Sequence, residues 1–207
     1  LTIRAGTSRT LFATKGIQPM KSMTKRLLAA LLAVAALFAL AGCSKSDKAD
    51  AAPKDYTKIL HDARPDEDND YYMIFSPGED GKFTAQYGYS DSYDAAQLDE
   101  EIRNMLLPLL NLEEDMYTDF AASVSGMMVQ SYGIAIVKPA EGKQQAVSEA
   151  LDAYVQSQMQ SMEHYLEDQY QIAKAAKVEV LPSGEVVLVC CENSDAVLSA
   201  IKTALAA

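Results

Sequence analysis

Two rhythms of apolar and polar positions run through this chain. Leu98, Ile102, Met105, Leu106 and Leu109 recur at helical spacing, and Asp94-Ala95-Ala96-Gln97 just before them has the form of a capping box. Pro108 has no amide hydrogen to donate, so it should end or kink that helix. Val147, Ala150, Leu151, Tyr154, Val155, Met159 and Met162 mark one face of a longer amphipathic helix. Its pattern can be continued through Tyr165, Leu166, Ile172 and Ala173, with a break expected near the polar Glu167-Asp168-Gln169. A last helix carries Val197, Leu198, Ile201 and Leu205 on one face, with Asn193 or Ser194 as its cap.

The second rhythm has period two. Phe120, Ala122 and Val124 alternate with Ala121, Ser123 and Ser125, and Tyr132, Ile134 and Ile136 alternate with Gly133, Ala135 and Val137. With residues 126–130 as the connection, these form a hairpin. A second hairpin runs over 178–181, a turn at Pro182-Ser183-Gly184, and 185–191. Positions 186–191 are apolar throughout, as expected of a strand buried on both faces. Patterning is weaker toward the N-terminus. Residues 55–63 read as a short helix closed by Arg64-Pro65, 66–70 as an acidic loop, and 71–75 and 82–89 as short strands around a turn. The order of elements predicts an α+β fold: an antiparallel sheet built from two hairpins, with amphipathic helices packed on one face.

Charge divides the chain in two. The first 42 residues hold six basic side chains and no acidic one, whereas the remaining 165 carry 12 Lys+Arg against 29 Asp+Glu, a balance of −17. A body this acidic is repelled by phosphates, which excludes nucleic acid as a partner. The basic segment has the layout of an export signal. Lys21, Lys25 and Arg26 precede an apolar run of 14 residues from Leu27 to Leu40, too short for a comfortable membrane span. Leu40-Ala41-Gly42-Cys43 then resembles the lipobox of bacterial lipoproteins. That resemblance implies cleavage before Cys43, lipid (palmitate among it) on that residue, and anchoring on the extracytoplasmic face of the cell membrane.

Residues 1–42 are thus read as the signal peptide, with 1–19 upstream of a good start at Met20 or Met23. Residues 43–54 are a lipid-anchored flexible tether, 55–93 an N-terminal extension, and 94–207 the α+β domain.

The stretch from Leu106 to Ala204 is similar to a family of clostridial-type lipoprotein domains of unknown function. The likeness rests on residues 119–125 (DFAASVS), 132–138 (YGIAIVK), the helix reaching 165–170 (YLEDQY), the apolar strand 186–191 and the capped final helix. Members often carry a proline after the Tyr165-Leu166 pair; Glu167 stands there here. The resemblance implies a lipid-anchored surface protein of a Gram-positive anaerobe and brings no catalytic residues.

Candidate chemistry is sparse. His61 and His164 are the two histidines, too few for a histidine-rich metal site, and neither HExxH nor CxxC occurs. Cys190 and Cys191 are adjacent, which in a strand sends them to opposite faces, as two small buried hydrophobes. Started at Asp66, an EF-hand loop would need glycine where Tyr71 stands and glutamate where Pro77 stands. Ser123 to Gly126 lacks the leading glycine of a nucleophile elbow. No phosphate loop is present, and no cofactor or metal site is assigned. Tyr71, Tyr72, Tyr87, Tyr89 and Tyr93 cluster in sequence as a possible binding surface. The favoured reading is a non-catalytic binding or interaction module. The alternatives are an extracellular hydrolase with a dispersed site using His61 or His164, and a cation- or metal-handling lipoprotein.

Cys43→Ser is expected to abolish incorporation of labelled palmitate in cells and to release the protein from the membrane pellet. Retained label would refute lipidation at this residue.

Overall fold

Residues 53–207 are described by the computed structural model; the expected signal peptide, Cys43 and the expected tether up to residue 52 lie outside them. Three hairpins stand side by side in one antiparallel sheet: β1 (Ile74–Pro77) with β2 (Phe83–Gln86), β3 (Tyr117–Val124) with β4 (Gly133–Pro139), and β5 (Lys177–Val180) with β6 (Val186–Cys190). The strand order is β2-β1-β3-β4-β6-β5. Phe75 of β1 lies opposite Ala122 of β3, so the N-terminal strands join the same sheet as the rest.

The expected α+β class and antiparallel sheet are what forms, but three hairpins build the sheet where two were expected, and the packing differs as well. Helices cover both faces. Phe75, Phe120, Ala122, Val124, Ala135, Val137, Leu188 and Cys190 face one core, closed by α3 (Ala95–Glu101), its continuation Ile102–Leu106, α4 (Leu107–Leu109), α5 (Gln144–Met162) and α6 (Glu167–Ala175). Ile74, Ala121, Ile134, Ile136, Val187, Val189 and Cys191 face a second core, closed by α1 (Tyr56–Ala63) and α7 (Ser194–Ala206). Period-two alternation along β3, β4 and β6 therefore separates two apolar sets instead of an apolar set from a polar one. Small residues in these strands leave room for large neighbours, as Gly133 does for the Tyr154 ring.

Local signals explain most boundaries. Asp94 accepts from the amides of Ala96 and Gln97, and Gln97 bonds back to the Asp94 amide, completing the capping box. Ahead of Pro108 the helix widens into a π turn over Ile102–Leu106, with the Leu107 amide reaching back to the Ile102 carbonyl. This shift turns Met105 outward while Ile102 and Leu106 stay buried. The long helix ends at Met162, and α6 begins at Glu167, where Glu167 and Asp168 meet the positive end of the helix. Asn193 holds the cap position of α7 but in the left-handed conformation (φ 58°), with no side-chain bond to the helix.

Residues 66–70, expected as a loop, form most of α2 (Asp66–Tyr71) instead. Pro65 precedes it, and Asp66, Glu67 and Asp68 in its first turn suit the helix dipole.

Gly133 shows how tight the first core is. A Cβ there would come 2.5 Å from the Tyr154 hydroxyl, which is buried and donates to the Tyr132 carbonyl at 2.8 Å. Gly133→Ala should therefore destabilise the fold by about 1–3 kcal/mol through overpacking, read as a lower urea midpoint with an unchanged slope.

Candidate functional site

β1 enters, β3 leaves, β4 enters and β6 leaves the sheet at the same end, and α2 sits over that end. A guanidinium is buried there. Arg64 is 5% exposed and spends its donors on four partners: Asn69 Oδ1 at 2.6 Å from Nε, Ser123 Oγ at 2.7 Å and the Tyr132 hydroxyl at 3.1 Å from Nη1, and the Tyr72 carbonyl at 2.6 Å from Nη2. Ser123 passes its own proton to the Met73 carbonyl at 2.8 Å, and Asn69 donates to the His61 carbonyl at 3.0 Å. No carboxylate lies within ion-pair distance of Arg64 among the described residues. Asp68 is the acidic group that feels it. Burial raises the Asp68 carboxyl above the usual range, and the Arg64 charge pulls the other way.

Tyr72 stacks flat on Tyr132, centroids 3.7 Å apart at 9°. Its hydroxyl donates to Gln130 Oε1 at 3.0 Å, which pins the β3–β4 connection. Burial pushes the Tyr72 phenol up to about 12 and holds that of Tyr132 well above its ordinary value. A cavity opens on each side of Tyr72. One, of about 210 Å³, is polar and is lined by Glu67 and Asp68 of α2, Gln130 to Tyr132, Gln169 and Ile172 of α6, and Cys191 to Asn193. Within its wall the Ser131 amide donates to Gln169 Oε1 at 2.9 Å, while the buried Ser131 hydroxyl has no partner. The other is a groove of about 490 Å³ walled by Tyr71, Tyr72, Tyr89 and Tyr93, with Asp70 at its edge and Ser125 to Met127 along one side. Met127, Met128 and Val129 stand exposed beside it.

Gly88 sets the groove's depth. Its φ of +52° and the 2.5 Å distance from a built Cβ to the Tyr72 carbonyl carbon both demand glycine. Tyr87 before it also takes positive φ, at 68°, in an extended region strained for any side chain. It turns away from the groove to pack against His61, centroids 4.2 Å apart and the rings tilted by 33°.

Four of the five clustered tyrosines thus come together in one wall, and Tyr87 does not. His61 lies beside Asp62 on the surface of α1, Nδ1 to Oδ1 2.9 Å, and His164 is largely solvent-exposed. Neither lines the two cavities. No cluster of three His, Cys, Asp or Glu side chains suited to a metal occurs among the described residues. Cys190 and Cys191 are free and buried in opposite cores. Arg64, Gln130, Ser131, Tyr132 and Glu192 were not singled out from the sequence. A signal for Arg64 is present: it follows Tyr56 and Leu60 of the apolar face of α1 at the same spacing of four, and it caps that helix in extended conformation.

Residues 90–192 match the family described as a domain of unknown function, DUF4358. The chain is therefore an α+β protein that carries a DUF4358 domain across the central and C-terminal strands of its sheet. The matched segment supplies Gln130 to Tyr132, Gln169 and Glu192, while Arg64, Asp68 and Tyr72 come from the residues before it. Comparison with curated proteins and with solved structures gives no match.

Burial pushes both thiols up to about 12, from an ordinary value near 9. The folded chain therefore holds protons that the unfolded chain releases, and their contribution to stability is lost as pH rises from about 9 toward 12. Iodoacetamide at pH 8 should leave both cysteines unmodified in the native protein and label both in urea. Rapid native labelling would contradict this burial.

Proposed function

We propose that the chain is a non-catalytic binding module, held by lipid at Cys43 on the extracytoplasmic face of the cell membrane, that takes its ligand at the end of the sheet where Arg64 is buried. The observation that supports this most is the tyrosine-walled groove. Rings that offer flat apolar faces and hydroxyl edges suit saccharides and peptides, which present both kinds of surface. The wall is pre-formed: Tyr72 is fixed by stacking and by Gln130, and the Tyr89 segment is held against the 71–73 backbone by Gly88.

The test is thermal unfolding of the purified protein against cell-wall fragments, oligosaccharides and peptides. A ligand at 100 times its dissociation constant should add about 2.7 kcal/mol of stability. Tyr71 and Tyr89 are partly exposed, so Tyr71→Ala and Tyr89→Ala should fold normally and lose the shift. Conversion of a panel compound to product would overturn the non-catalytic reading, and a shift indifferent to both substitutions would overturn the groove.

A further inference from the structure

The polar cavity on the other side of Tyr72 has a chemistry of its own. Three carboxylates, Glu67, Asp68 and Glu192, border it, and no lysine or arginine does. The one nearby cation, Arg64, stands behind the wall with its donors committed to Asn69, Ser123, Tyr132 and the Tyr72 carbonyl. Glu67 and Asp68 lie in the first turn of α2, but Glu192 belongs to no helix. Glu167 and Asp168 already meet the N-terminus of α6, and Asp195 that of α7. A second observation is independent of charge. Ser131 is 2% exposed, lines the cavity, and has a hydroxyl with no hydrogen-bond partner. A buried hydroxyl left without a partner is costly, and a ligand that donates to it removes the cost.

We propose that this cavity binds a primary alkylammonium group, carried by a free diamine or by a lysine side chain. Three donors on one nitrogen can serve Ser131 and the carboxylates together, and the tyrosine ring that walls the cavity favours a cation further. A bare metal ion is a poorer fit, since the carboxylates do not converge into a metal-binding cluster. An ammonium beside Asp68 also offsets the burial that disfavours its ionised form. The inference rests on the binding-module reading but uses a different wall from the tyrosine groove, so the two can fail separately.

Cadaverine is titrated into the purified full chain by calorimetry and thermal unfolding, with 1,5-pentanediol as the neutral isostere and sodium chloride at matched ionic strength. Saturable binding of cadaverine alone is expected. Glu192 is exposed, so Glu192→Gln should fold and weaken binding about tenfold; Ser131→Ala should weaken it without changing the charge. A lysine-containing peptide and its acetyl-lysine counterpart form the second arm. Tighter binding of the unmodified peptide than of cadaverine identifies a lysine side chain as the source, and the reverse a free diamine. Equal effects of cadaverine and pentanediol, no binding of either amine, or binding unchanged in both variants would overturn the proposal. Ligands sensitive to Tyr89→Ala would still report on the groove in that event.

Discussion

A guanidinium taken out of water must find a partner for its charge and for its donors, and at Arg64 the fold supplies nearly all of them from neutral groups. That requirement ties together parts of the chain that have no other reason to meet. From the end of α1 the guanidinium reaches four acceptors, one each from the middle of α2, the entry to β1, the exit of β3 and the entry to β4. Removing the guanidinium would leave several buried acceptors unserved, at about 1–3 kcal/mol each. The stacking of Tyr72 on Tyr132 follows from the same arrangement, because Arg64 holds the carbonyl of one and the hydroxyl of the other. Both cavities depend on that stack for their common wall.

The sheet imposes the second constraint. With helices on both faces, its central strands have no solvated side, and β3, β4 and β6 read as apolar or small at nearly every position. Few large polar side chains can sit within such strands. They collect where the strands end. Tyr72, Gln130, Ser131, Tyr132 and Glu192 all lie within a few residues of a strand terminus. The far end of the sheet carries ordinary turns, at Gly78–Lys82 and Leu181–Glu185, closed by backbone bonds.

Much of this was legible in the residues themselves. The capping box at Asp94, the alternation in 119–125 and 131–138, the face of α5 and the unbroken apolar run of β6 are local signals, and local physics decides them. The second helical layer was not legible, because alanine, serine and glycine at alternate positions carry no mark of which way they face. The acidic run 66–70 looked like a loop because its charges are unfavourable together; what makes it helical is Asn69, buried and bonded to Arg64 and to the His61 carbonyl. The tyrosine cluster was visible as a cluster, but its wall depends on Gly88 pressing against the 71–73 backbone. The polar cavity depends on contacts of long range, between Ser131 and Gln169 and between α2 and the β3–β4 connection, that no window of sequence contains.

The two ends of the described chain meet far from this site. Lys54 donates to the Leu205 carbonyl at 2.5 Å and pairs with Glu185 at 3.5 Å, while the Tyr56 hydroxyl bonds the same carboxylate. Glu185 precedes β6, at the opposite end of the strand from Cys191 and the polar cavity. The described chain thus begins at the pole of the sheet opposite the two cavities. A pull applied through Lys54 is therefore borne first by the Glu185 carboxylate and the end of α7, and only across the length of β6 by the walls of the cavities.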